Sequence, residues 1–280
     1  MKNLKQYITE KLKITKDNID KHNYFPETTE ELDNIIVKLI EERGNNANLN
    51  DIDVSKITDM SELFNKSDFN GDISKWDVSN VTDMYNMFRE SKFTGENGDI
   101  SNWNVSNVTN MNHMFNKSIF TGDISKWDVS NVTNMRYMFK ESKFNGDISE
   151  WNVSNVTNME GMFNYSEFNG DISDWNVSKV KWMEYMFSYS KFDNDISKWD
   201  VSNVRSIAGM FLGCESFNQD ISNWDVSEVR YIGKMFSYSK FNGDLSKWRL
   251  NISDDIEDMF TNCPLKNQPK KWPKIMKHKI

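Results

Sequence analysis

The stretch Gly71–Phe93, GDISKWDVSNVTDMYNMFRESKF, decides the fold, because it recurs along most of the chain. Its tryptophan returns as Trp76, Trp103, Trp127, Trp151, Trp175, Trp199, Trp224 and Trp248, so that the successive intervals are 27, 24, 24, 24, 24, 25 and 24. Three extra residues around Glu96-Asn97-Gly98 account for the 27, and one extra residue between Leu212 and Ser216 for the 25. Half a unit comes first, with Ile52 in the tryptophan slot, and Trp272 falls one more period after Trp248 in a basic, proline-containing remnant. A period of this length marks supersecondary units that cannot bury an apolar face alone and must stack on one another.

The repeat absorbs nearly all the large apolar side chains. Fourteen of the 16 Met fall into two columns, running from Met60 to Met183 and from Met87 to Met259, and all Phe except Phe25 fall into two more. A slot refilled at every repeat reads as core, not as a methionine-lined groove or metal path. Within a unit, Ile73, Trp76 and Val78 suggest a short strand. Val81, Met84, Met87, Phe88 and Ser91 follow at helical spacing, with Ser79 as N-cap. The dipeptides ending in Gly71, Gly122, Gly146, Gly170 and Gly243 suggest turns that use a positive φ. The expected fold is therefore an α/β repeat solenoid, a right-handed, leucine-rich-repeat-like coil stack with one short strand and one short helix in each unit. At the sheet spacing of about 4.8 Å, nine coils make a rod roughly 40 Å long.

The expected division is an N-terminal helical segment and cap over 1–49, the repeats over 50–265, and a basic C-terminal cap or tail over 266–280. In the first part, Thr28 and Glu31 form a capping box, and Leu32, Ile35, Ile36, Leu39 and Ile40 give one apolar face that ends at Gly44. A weaker amphipathic pattern over 2–14 fits either a docking peptide or a second cap. The tail carries six Lys and no acid, which fits a solvated cap or a contact with an anionic partner.

The unit WDVSNVTNMxxMFxxSxFNGDIS resembles the repeats of the BspA-type leucine-rich-repeat surface protein family, with its mycoplasma-type 24–25-residue period, over residues 50–265. That resemblance implies a solenoid used for protein or host-surface recognition, without catalysis. Many such relatives are secreted or lipid-anchored. Here the N-terminus lacks the apolar core of a signal peptide, and no segment reaches the roughly 20 apolar residues of a membrane span. The expected location is cytoplasmic or virion-associated, with the cell surface a weaker fit.

Composition narrows the chemistry. With 34 basic against 42 acidic residues the net charge is −8, which disfavours a nucleic-acid partner. Two Cys and three His are too few for a disulfide framework or a closed zinc site. Cys214 and Cys263 take a slot filled elsewhere by Ser, two coils apart and too far for a disulfide. No nucleophile–base pair, phosphate loop or HExxH is present, so no catalytic residue, metal site or cofactor is expected. The aspartate column Asp72, Asp99, Asp123, Asp147, Asp171, Asp195, Asp220 and Asp244 either caps its own turns or holds calcium between coils.

Function shows where the repeat is free to vary. Tyr165, Trp182, Tyr185, Tyr189, Tyr231 and Tyr238 fall outside the core columns, and Trp182, Tyr185 and Tyr189 would share one helical stripe. The slot of Thr82, Thr109, Thr133 and Thr157 becomes Lys181, Arg205 and Arg230 in the same region. Aromatics beside cations have the composition of an interface. The alternative is drift on a tolerant surface, with each tyrosine packed over its neighbour. The expected activity is recognition of a protein partner through this face. The alternative activity is a structural or scaffold role in a phage or surface assembly, with contacts made by the ends.

Overall fold

An indole removed from water must find an acceptor for its N–H, and each repeat supplies one to the next. In the computed structural model, which describes residues 22–251, 256 and 258–278, Trp76 Nε1 donates to the Leu49 carbonyl at 3.0 Å. Trp103, Trp127, Trp151 and Trp175 donate in turn to the carbonyls of Ile73, Ile100, Ile124 and Ile148 at 3.0–3.3 Å. Trp199, Trp224 and Trp248 continue the ladder to Ile172, Ile196 and Ile221. All eight rings are buried.

The two Phe columns stack alongside. Phe115, Phe139, Phe163 and Phe187 lie 5.8 Å apart, centroid to centroid, with ring planes within 6° of parallel. Both Met columns are fully buried with them, in one continuous core. Residues about two dozen apart therefore sit over one another, and the chain is a repeat protein in space as well as in sequence.

The backbone departs from the strand-plus-helix expectation. Among the described residues the only α-helix is α1, Thr29–Arg43. In their described residues, the repeats contain neither an α-helix nor a continuous strand. They are joined by isolated parallel bridges, one per repeat, at Asp59, Asp83, Asn110, Asn134, Asn158, Trp182, Ser206 and Tyr231. Where a helix was expected, alternate N–H groups serve two directions. Met87, Arg89 and Ser91 close tight turns onto Met84, Asn86 and Phe88, whereas Met84, Asn86, Phe88 and Glu90 donate to the carbonyls of Asn110, Asn112, Met114 and Asn116 in the following repeat. Asn86 and Glu90 have φ 54, and the same two positions are left-handed in every repeat, from Glu62 and Lys66 to Asp258 and Asn262. A left-handed residue every fourth position prevents a right-handed helix. Linked turns still return apolar residues at three- and four-residue intervals, which is why the spacing looks helical.

The expected strand is replaced by two turns, closed by Trp76 N–H on Ile73 and Val81 N–H on Val78. Aspartate side chains take the neighbouring serine N–H groups from any ladder. Asp72, Asp123, Asp147, Asp171, Asp195, Asp220 and Asp244 each accept the N–H of the Ser two residues on. That bond holds the Asp123, Asp171, Asp195, Asp220 and Asp244 carboxyls below the usual range. Turn capping is thus what the column does in this structure.

The glycines before these aspartates also differ from expectation, because Gly71, Gly122, Gly146, Gly170 and Gly243 are not among the positive-φ glycines. They lie beside a phenylalanine ring, although Asn194 and Gln219 fill the same slot in two other repeats. A Cβ on Gly146 would lie 2.8 Å from the ring of Phe144, and the same clash recurs at Gly122 and Gly170.

Each end of the stack is finished differently. Thr28 caps α1 by accepting the Glu31 N–H, Glu31 accepts the Glu27 N–H in return, and the Gly44 N–H closes on Ile40. Leu32, Ile36 and Leu39 enter the core, while Arg43 holds Asp51 through its two terminal guanidinium nitrogens, each at 2.9 Å. At the other end three short 3₁₀ turns, Pro264–Asn267, Pro269–Lys271 and Lys274–His278, follow the last repeat. Trp272 stacks on Phe260 at 5.5 Å, but its N–H turns inward to Leu265. Cys214 and Cys263 are buried free thiols that donate to the carbonyls of Ser190 and Phe241. The segment 2–14 lies outside the described residues.

Two substitutions test this construction in denaturant unfolding. Trp151→Phe removes one of the two donors on the Ile124 carbonyl, which keeps the Trp127 N–H, together with part of the buried ring, and should cost about 1–3 kcal/mol. At a left-handed exposed position, Glu141→Val should be about 1–2 kcal/mol less stable than Glu141→Gly.

Candidate recognition face

The side chains singled out by their departure from the repeat do reach the surface. Tyr165, Trp182, Tyr185, Tyr189, Tyr231 and Tyr238 are all exposed, between 38 and 55%. They occupy three columns. Trp182 and Tyr231 stand in the bridge column, on either side of Ser206. Tyr185 is in the first left-handed column and Tyr165, Tyr189 and Tyr238 are in the second. The helical stripe expected for Trp182, Tyr185 and Tyr189 is absent, since no helix forms there. Only one pair of these rings makes direct contact among the described residues: Tyr165 and Tyr189 stack at 4.6 Å and 15°.

The left-handed backbone sets how the tyrosines lie. Tyr185 and Tyr189 lean toward the following repeat, where a glycine makes room for each. A Cβ on Gly209 would come within 2.4 Å of the Tyr185 ring, and one on Gly213 within 2.3 Å of Tyr189. These glycines stand one period after their tyrosines. The aromatic face is therefore partly self-supported, as the packing alternative anticipated, yet its rings stay open to solvent.

Lys181, Arg205 and Arg230 form a ladder through their backbones, the N–H of each donating to the carbonyl of the residue above it, beginning at Thr157. Their charges are not equivalent. Arg205 pairs with Glu228, whereas Lys181 and Arg230 are exposed and have no carboxylate partner among the described residues. In other columns charges alternate from repeat to repeat. Lys66, Glu90, Lys117 and Glu141 precede Tyr165 in its own column, and Lys143, Glu167, Lys191, Glu215 and Lys240 run two residues further along. Lys143 meets Glu167 at 2.6 Å and Glu215 meets Lys240 at 3.0 Å.

A second polar cluster escaped the sequence reading. Glu160 is held by Arg136 through two bonds, of 2.7 and 3.0 Å, and accepts the Tyr137 hydroxyl. Tyr137 lies over Gly161, and its ring sits 4.9 Å from that of His113. Burial, then the Glu160 carboxylate, pushes the Tyr137 hydroxyl up to about 12. Burial works to raise Glu160, but the bonds from Arg136 and Tyr137 outweigh it and bring the carboxyl below its usual range. His113 is pushed down to about 4, first by burial and then by Arg136, Arg89 and Lys140. The available signal was the same one-period step, which links Arg136 to Glu160 and Tyr137 to Gly161. No group of three or more His, Cys, Asp or Glu side chains converges as a metal-binding set among the described residues.

Comparison with known proteins agrees with the repeat. The family model described as "Mycoplasma protein of unknown function, DUF285" matches three overlapping segments, 34–119, 116–191 and 166–272. The chain belongs to this family. No curated protein and no solved structure matches it. Among the described residues of this family member, no helix is long and apolar enough to cross a membrane.

The His113 environment gives a pH signature. Between about 6.5 and about 4 the unfolded chain takes up a proton that the folded chain refuses, so stability falls as pH drops through that window and the loss levels off below it. His113→Asn, which copies Asn86 one repeat earlier, should flatten this part of a melting-temperature profile.

Proposed function

We propose that this chain is a non-enzymatic recognition protein, a leucine-rich-repeat-like, BspA-type solenoid that binds a protein partner through the edge carrying residues 160–240. The observation that carries the reading is the concentration of six exposed aromatic side chains between Tyr165 and Tyr238, all outside the core columns. Large exposed aromatics beside cations are what interfaces enrich. The partner presents an acidic group to Lys181 and Arg230, the two cations of the ladder that lack a carboxylate among the described residues. Binding by surface complementarity needs no cofactor. The bonds between repeats hold this edge in shape, so little ordering cost falls on association.

A second reading, a scaffold that makes its contacts at the ends, draws on Phe25 and Val37, exposed by 47% and 49% near and on α1. The two are separated by capturing partners from the native host on the immobilised full chain. Trp182→Ala combined with Tyr189→Ala should abolish capture and move the melting temperature by only a few degrees. If capture instead survives that pair and is lost with Phe25→Ala and Val37→Asp, the ends are the contact site.

A further inference from the structure

The second left-handed column contains an interrupted stack of rings. Tyr165 and Tyr189 are stacked at 4.6 Å, the next position is Gly213, and the one after is Tyr238. One ring is missing from the series. The repeats bearing Tyr189 and Tyr238 are two steps apart, each step 5.8 Å along Phe187, Phe211 and Phe236. Tyr189 leans over Gly213, so a planar group entering beside it would meet the Tyr189 ring on one side and Tyr238 on the other. At this place the surface opens into a depression of about 350 Å³, lined by Tyr189, Gly213, Glu215, Tyr238 and Asn262.

We infer that this gap receives a planar cation, the guanidinium of a partner's arginine side chain. The inference deepens the recognition reading above and rests on it. The faces of two tyrosines attract a cation. A guanidinium is flat enough to stack and pairs with a carboxylate through two parallel bonds. Glu215 supplies that carboxylate, and the Asn262 amide oxygen and the tyrosine hydroxyls supply further acceptors around the depression. Glu215 is paired with Lys240, but both side chains are about 70% exposed, and a surface pair of that kind contributes little and gives way to a better partner. A lysine ammonium lacks the plane, and a neutral ring would leave Glu215 unaddressed.

The test uses the purified full chain and the tyrosine ring NMR resonances, titrated with blocked Gly-Arg-Gly, Gly-Lys-Gly and Gly-Phe-Gly tripeptides. The arginine peptide should shift Tyr189 and Tyr238 saturably, with an affinity at least about fivefold above the other two. Glu215→Gln should weaken it by about fivefold or more. Gly213→Tyr should abolish binding, because its Cβ would fall within 2.3 Å of the Tyr189 ring and displace that wall while its own ring takes up the gap. Tyr238→Ser, which removes one wall without crowding, should also abolish it. Equal response to the phenylalanine peptide, absence of any shift, or full binding by Tyr238→Ser would overturn the inference. If the arginine peptide fails while Trp182→Ala with Tyr189→Ala still abolishes partner capture, only the choice of guanidinium is wrong and the recognition face stands.

Discussion

The tryptophan N–H is the constraint on which the rest depends. Each indole is too large to leave in water and too polar at one atom to bury alone, so it must reach a carbonyl, and the carbonyl within reach belongs to the preceding repeat. This single demand fixes which repeat lies on which, and in what register. The Met and Phe columns then pack where the indoles have placed them. In the opposite direction, alternate N–H groups of the turn segment donate forward to the next repeat. Each unit is thus tied to both neighbours by different parts of its backbone, and no unit needs a helix or a strand of its own. Stability of such an array is close to a sum of nearest-neighbour terms.

The same bonding explains where variation is tolerated. Core columns admit almost no change, because a ring or a thioether must match those above and below it. The two left-handed columns, the second mostly exposed and the first partly buried, accept Lys, Glu, Asn, His, Tyr or Gly alike, at a conformational cost every repeat already bears. Two quite different surfaces are consequently built on one backbone. One is the Arg136–Glu160–Tyr137 network, whose polar groups satisfy each other. The other is the open tyrosine series, in which Tyr185 and Tyr189 rest on glycines and Tyr165 stacks on Tyr189.

Much of this was legible in the sequence and some was not, for identifiable reasons. Stacking, core membership and the exposure of Tyr165, Trp182 and Tyr238 follow from the column each residue occupies. The conformation of the unit does not, because linked turns and a short helix return apolar side chains at the same three- and four-residue spacing. The left-handed positions carried no glycine signal: most are Lys, Glu, Asn or Tyr, held there by a forward hydrogen bond. The glycines that do stand out, such as Gly146, lie beside a phenylalanine ring and not at a left-handed turn. Pairs such as Tyr189 and Gly213 were within reach, since they are one period apart, but reading them requires knowing that the ring leans forward.

The alternation of Lys and Glu along the outer columns has a consequence for how such a chain can change length. Geometrically one repeat is the smallest interchangeable part, but the charges return only after two. Gain or loss of a single internal repeat between Lys143 and Lys240 would bring like charges face to face at the junction, whereas gain or loss of a pair would preserve the sequence of attractions. Electrostatically, growth by twos is favoured over growth by ones.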